Sequence, residues 1–304
     1  MSLILIFTST AKAQQTSLQT LTQSDGIQVV EGERPVLFFQ RSVRSKNGRW
    51  PRNNYIHPLY DLRGNVITED FPEDHGHHRG IFWAWHQVIV DDQQLGDAWV
   101  CQDFLWNIQS LKTRQADDAI ELVTKTHWKS SDYVDDDGQP IAVVEEQMTV
   151  TVHPAKADHR IIDFDLELKA LVEDVRIGGS DDPKGYGGFS PRLKLSPDQQ
   201  FVGRDGTLQP TKLALDAGPW VDVQGDDYSL LMIADQRNPA PHGLKEPTAW
   251  ILREARSMQN SVYPGRTPTE LSMTEPTRLR YRLVIHHEPL DAEAIEMLQE
   301  SMAK

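Results

Sequence analysis

The sequence predicts an all-β fold, a large antiparallel β-sandwich carrying one C-terminal helix. Three observations lead there: apolar residues alternate with period two over several long segments, turn residues separate those segments at short intervals, and there is no strand–helix–strand alternation, interior linker or internal repeat. The 304 residues are enough for one such sandwich as a single domain.

The first segment, MSLILIFTSTAKAQQ (1–15), reads as an export signal. Leu3–Phe7 is its apolar core and Ala11-Lys12-Ala13 fits a small-x-small cleavage site. The core is short and no basic residue precedes it, so a frayed N-terminus on a cytoplasmic protein is the competing reading. The signal implies a periplasmic or secreted protein, with residues 16–304 forming the domain.

The strands follow. Ala119–Trp128 alternates, and in Glu146–His153 the residues Glu146, Met148, Val150 and Val152 share a face. Ile162, Phe164, Leu166, Leu168 and Ala170 face one way, with Asp163, Asp165, Glu167 and Lys169 opposite. Ser229–Ala234 alternates with less contrast, while Leu279, Tyr281, Leu283 and Ile285 alternate with Arg278, Arg280 and Arg282. Such stretches are half-buried antiparallel strands. Asp137-Gly138 marks a hairpin tip, and Gly64, Gly206 and Gly225 mark further turns. The acidic run Asp135–Asp137 lacks the remaining ligands and closing Glu of a calcium loop. Asp291 is placed to cap a helix over 291–303, in which Ile295, Leu298 and Met302 share one face.

Composition excludes some functions. A formal net charge of −14 without a basic patch argues against a nucleic-acid partner. No apolar run approaches the roughly 20 residues of a membrane span. Cys101 is the only cysteine, which rules out an intrachain disulfide and a cysteine-rich metal site. No GxSxG elbow supports a serine hydrolase.

The candidate chemistry concentrates between residues 50 and 106. Five of the eleven histidines (His57, His75, His77, His78, His86) and five of the eight tryptophans (Trp50, Trp83, Trp85, Trp99, Trp106) lie there. Imidazoles exchange protons near neutrality and ligate metals. If Asp74–Arg79 is extended, His75, His77 and Arg79 share a face, opposite Asp74, His78 and Gly80. His75 and His77 then converge on one ligand, a divalent metal included, with Asp74 or Asp70 orienting an imidazole. Beyond Gly80, Ile81, Trp83, Trp85 and Gln87 share a face opposite Phe82, Ala84, His86 and Val88. Trp83 and Trp85 suit stacking on a sugar ring or, equally, burial in the core. A second candidate is GYGGFSPR (Gly185–Arg192), where glycines allow positive φ and Arg192 can hold a carboxylate or hydroxyl pair; a β-bulge is the alternative. The third is Asp235–Arg253, with Asn238, His242, Trp250 and Arg253 among prolines.

The run YIHPLYDLRGNVITEDFPEDHGHHRGIFWAWHQV (Tyr55–Val88), with GYGGFSPR and TAWILRE, resembles a bacterial PmoA-like family of unknown function catalogued as "methane oxygenase PmoA". The likeness covers nearly the whole chain after the first segment. The monooxygenase subunit of that name has many membrane spans, so an integral-membrane role is not implied for this chain. The resemblance implies a galactose-mutarotase-like supersandwich, of the aldose-epimerase type, and a context of sugar oxidoreductases and isomerases. In that superfamily a histidine acid and a carboxylate base act on a sugar ring.

The expectation is therefore a carbohydrate-active enzyme, a hydrolase, lyase or epimerase acting on a sugar or keto-sugar. His75, His77, His78, Arg79 and Asp74 would be catalytic. His57, Asp70, Trp83, Trp85, His86, Arg192, Trp250 and Arg253 would bind a small-molecule carbohydrate. Two alternatives stand: a metal-dependent hydrolase or oxygenase using His75, His77 and His78, and a non-catalytic sugar-binding module.

Overall fold

The computed structural model describes residues 17–255 and 258–302. The segment read as an export signal and the last residue of the expected helix lie outside them. The fold is the expected antiparallel β-sandwich. A six-stranded sheet runs, edge to edge, Leu18–Thr22, Gly26–Glu31, Arg34–Gln40, Tyr55–Leu59, Ile81–Trp85 and Gly187–Pro191. A nine-stranded sheet is built around Phe104–Ala116, Ala119–Val134, Pro140–Val152, His159–Ala170 and Thr277–His286, continued by Ser229–Ala234, Trp220–Gln224 and two short strands. Smaller sheets of two to four strands fill the loops.

Alternation in the sequence becomes burial in the structure. Along His159–Ala170 every second residue from Arg160 to Ala170 is buried. Its outward residues meet those of Thr277–His286 in register, Asp163 opposite Arg282, Asp165 opposite Arg280 and Glu167 opposite Arg278. Oppositely charged partners directly across a ladder reinforce the register that the apolar face already specifies.

The inner faces meet through large aromatic rings. Trp85 packs 5.5 Å from Trp128, and Phe189 packs 4.9 Å from Phe164 and 4.5 Å from Tyr281 (centroid distances). Within that apolar layer lies a fully buried carboxylate, Glu146, which accepts hydrogen bonds from Asn54 Nδ2 at 2.7 Å and Trp128 Nε1 at 2.8 Å. Burial pushes its pKa up.

The helix spans Ala292–Met302 and is capped as expected, Asp291 Oδ1 accepting from the Ala294 N–H at 2.8 Å. Ile295 and Leu298 pack on Trp220, Leu231, Ile233 and Val284 against the outside of the nine-stranded sheet. Two such side chains contribute about 1.5–3 kcal/mol each. No described helix is long and apolar enough to cross a membrane.

Candidate active site

One expectation about local structure is overturned. Asp74–Arg79 is not extended: it is a loop turn closed by the His78 N–H donating to the His75 carbonyl at 2.9 Å, and only Arg79 forms an isolated bridge, to Asp70. Period-two alternation would have sent His78 away from His75 and His77. The turn gathers all three. His75 and His78 stack at 4.8 Å, and His77 stands edge-on to both, 5.6 Å from His75 and 4.5 Å from His78. Gly76 and Gly80 permit this. A Cβ on Gly76 would meet the Trp50 ring at 2.1 Å; one on Gly80, at φ +45°, would meet the Ile56 carbonyl oxygen at 2.0 Å.

The predicted faces of Ile81–Trp85 hold, but the chemistry lies on the other one. Trp83 and Trp85 are buried inside the sandwich and do not line the cleft, because the inner face of the sheet needs bulk to fill it. Their stacking role on a sugar is thereby corrected. Phe82, on the outer face, instead supports the histidine turn: its ring centroid is 6.1 Å from that of His78 and 5.3 Å from that of Trp99.

The cleft has a volume of about 380 Å³. It is lined by His75, His77, His78, His86 and Trp99, and by Tyr186 with Arg253 and Lys184 against it. Trp99 is 3% exposed, stacked by His86 at 5.3 Å and flanked by Tyr186 at 5.7 Å, so Tyr186 is the accessible aromatic ring. Asp97 builds this corner: Oδ1 accepts from the Trp99 and Val100 N–H groups at 2.9 and 3.1 Å, and Oδ2 lies 2.8 Å from His86 Nδ1.

A parallel arrangement holds the histidine turn. Asp74 Oδ2 lies 2.9 Å from His75 Nδ1, and Arg192 Nη2 donates to Asp74 Oδ1 at 2.8 Å. Partial burial opposes the Asp74 charge, but the bond to His75 and the Arg192 guanidinium outweigh it and hold the carboxyl below its usual value. Arg192 also donates to Glu69 Oε2 at 2.7 Å and from Nη1 to His78 Nδ1 at 3.0 Å. A guanidinium has no acceptor, so His78 Nδ1 must be unprotonated and a neutral ring carries its proton on Nε2. Burial, then the charges of His77 and Arg192, holds His78 well below its ordinary pKa. His77 is lowered to about 4 by burial and by His75, Arg52 and His86. Both are neutral at pH 7.

Several other expected site residues lie elsewhere. Arg79 is fully buried, donating to Asp70 Oδ1 at 2.5 Å, the Tyr55 hydroxyl at 2.7 Å and the Trp50 carbonyl at 2.9 Å, with its guanidinium 3.5 Å above the Phe71 ring. The Arg79–Asp70 pair braces the loop from beneath and does not line the cleft, which corrects their assignment to catalysis and binding. His57 Nδ1 lies 3.0 Å from Thr68 Oγ1, and burial lowers its pKa to about 4. Trp250 is buried with Nε1 donating to the Gly218 carbonyl. Asn238 bonds the backbone of Arg280, and His242 lies 3.1 Å from Thr269 Oγ1. From Asp235–Arg253 only Arg253 reaches the cleft.

Among the described residues no three His, Cys, Asp or Glu side chains are arranged to hold a metal ion. Asp74 and Arg192 occupy Nδ1 of His75 and His78, and the expected metal pair His75 and His77 gains no third ligand from them or from His57. A larger depression of about 600 Å³ lies on the outer face of the nine-stranded sheet. There Arg278, Arg280 and Arg282 are paired with Glu167, Asp165 and Asp163, as a cross-strand ladder requires.

Sequence reasoning missed Trp99, Tyr186, Lys184 and Asp97. Trp99 was part of the tryptophan concentration and Tyr186 sits inside GYGGFSPR. Asp97 and Lys184 stand in no pattern that singles them out.

No curated protein matches the chain. Among solved structures it is similar to YeaD of Salmonella typhimurium, a protein assigned as a mutarotase, at 11% identity over 90% of this chain and 95% of that one, with a TM-score of 0.40. The matching family's description attaches no activity and no methane-oxygenase name. Residues 26–300 match the family of unknown function DUF6807, and the chain belongs to that family.

Proposed function

We propose that the protein is a carbohydrate-active enzyme that moves a proton on a keto-sugar in the cleft formed by His75, His77, His78, His86 and Tyr186. The observation that carries this reading is the pairing of two imidazoles of opposite role in one turn. Asp74 accepts the Nδ1 proton of His75 and leaves Nε2 as a base, while Arg192 fixes His78 as a donor at Nε2.

The chemistry follows from those roles. His75 Nε2 takes a proton from the carbon beside the sugar carbonyl, and the C–H electron pair moves into the C–C bond as the carbonyl π pair moves onto oxygen. The Nε2–H of neutral His78 hydrogen-bonds that developing oxyanion, as a neutral imidazole does when its pKa is held down. Return of the proton to the opposite carbon face gives an epimer. Alternatively the enolate's electron pair expels the substituent on the next carbon, which leaves with the proton that His75 took, giving the unsaturated product of a lyase. His86, oriented by Asp97 as His75 is by Asp74, is the second imidazole, and when it also carries a proton on Nε2 it returns that proton to the carbon while His75 keeps the one it took. Tyr186 offers a ring face and a hydroxyl to the sugar.

A panel of oxidised and unoxidised glycosides, incubated with the full chain with and without a divalent metal and read by mass spectrometry, tests the proposal. Conversion of a keto-sugar, lost in His77→Ala/His78→Ala protein of unchanged melting temperature, supports it. Sugars that bind and are recovered unchanged would make the protein a binding module.

A further inference from the structure

We infer that the sugar carries a carboxylate, seated against Arg253 where it lines the cleft beside Tyr186; this deepens the reading above and rests on it. Arg253 lines the cleft, and unlike Arg79 and Arg192 it meets no described carboxylate. Arg79 and Arg192 each meet a carboxylate, Asp70 for the first and Glu69 and Asp74 for the second. Every hydrogen bond of the Arg253 guanidinium among the described residues goes to a neutral acceptor. Nη1 donates to the carbonyls of Thr211 and Leu252 at 2.6 and 2.8 Å, and Nη2 to the carbonyl of Lys212 at 3.1 Å and to the Tyr186 hydroxyl. Its charge is left uncompensated beside the cleft, and its Nε–H makes no hydrogen bond to a described residue.

The residue is also held in place. Its backbone N–H donates to Gln259 Oε1 at 2.9 Å, Gln259 Nε2 returns a bond to its carbonyl at 3.0 Å, and Gln259 is itself fully buried. Fixing an arginine this firmly costs side-chain entropy, which a permanent ligand contact offsets.

The charge count selects the ligand. The cleft is lined by two cations, Lys184 and Arg253, and one carboxylate, Asp182, which lies 3.3 Å from Lys184 Nζ. His77 and His78 add no charge at pH 7. Lys184 is paired with Asp182, so Arg253 is the lining cation with no described carboxylate partner, and its one charge, in a chain of net −14, matches one carboxylate rather than a phosphate of nearly two charges. The field of the whole chain repels anions, so an acidic sugar needs such a local cation to bind at all. A uronate bears its carboxylate directly on a ring carbon, so ring and carboxylate fit together within one cleft of this size.

Tryptophan fluorescence of the full chain, reporting through Trp99, is titrated with glucuronate against glucose and galacturonate against galactose, at about 50 mM and about 500 mM salt. Each uronate is expected to bind at least about 10-fold more tightly than its neutral counterpart. That margin is expected to shrink at high salt in the wild-type protein and to fall to less than about 3-fold in Arg253→Gln. The wild-type salt series stands even if the variant does not fold. Neutral sugars bound as tightly as the acids would overturn the carboxylate and leave the sugar site intact. Failure of all four to bind would overturn this inference, while the keto-sugar reading stands or falls on the conversion panel.

Discussion

Arg192, directly after the strand Gly187–Pro191, joins two histidines: one guanidinium nitrogen donates to His78 Nδ1 at 3.0 Å, and the other to Asp74 Oδ1 at 2.8 Å, whose second oxygen meets His75. The backbone is tied at the same point, the Arg192 N–H donating to the Gly80 carbonyl at 2.7 Å. The fork geometry of a guanidinium makes these contacts together with the Glu69 bond, and an ammonium cannot. Arg192→Lys should therefore lower turnover by about 10–100-fold and shift the pH profile as His78 loses its fixed tautomer, with little change in melting temperature. Rate–pH profiles of the two proteins check this; an unshifted profile would leave Arg192 a purely structural residue.

Arg79 should behave in the opposite way. It is buried with Asp70 and stacked on Phe71, so Arg79→Ala leaves that buried carboxylate only the half-exposed Arg44 and the Tyr55 hydroxyl. The expected loss is about 3–5 kcal/mol of stability. Urea unfolding measures it, and a loss below about 1 kcal/mol would contradict the bracing role.

Acid should weaken the fold before the carboxylates titrate. His57 and His77, both lowered to about 4, stay neutral in the folded chain while the unfolded chain takes up protons below about 6.5. The unfolded state then binds more protons, so stability is fully present above pH 6.5 and falls as the pH drops toward 4. Each group contributes on the order of 3 kcal/mol over that window. Thermal melts between pH 7 and pH 4.5 should fall steadily in the wild type and less steeply in His77→Gln.

Gly80 should tolerate no side chain. Its left-handed φ and the approach of the Ile56 carbonyl leave no volume for a Cβ. Gly80→Ala should cost about 1–3 kcal/mol and displace the His75–His78 turn, seen as a drop in melting temperature with a larger proportional loss of ligand binding.

The strands were legible because a period of two in apolar residues is itself the physical cause of burial on one sheet face, as Ile162–Ala170 and Leu279–Ile285 show. The helix was legible for a similar local reason, Asp291 standing where a cap is needed. The histidine cluster was located but its geometry was not. Applying the same period to Asp74–Arg79 fails because glycines at 76 and 80 and the close packing of Trp50 bend the chain into a turn. Trp83 and Trp85 could not be assigned to a face of the sandwich from alternation alone, since both faces of Ile81–Trp85 are buried. Lys184, Tyr186 and Arg253 meet the histidines only through tertiary packing, which leaves no trace in local spacing.

The central claim, that His75 and His78 move a proton on a keto-sugar, is tested most directly by solvent exchange. The full chain is incubated with keto-sugars in heavy water and the recovered sugar is read by mass spectrometry. Deuterium is expected at the carbon beside the carbonyl with the wild-type protein, reduced by about 100-fold or more in His75→Gln and in Asp74→Asn. Bound keto-sugar that gains no deuterium, or equal exchange by wild type and His75→Gln, would contradict it.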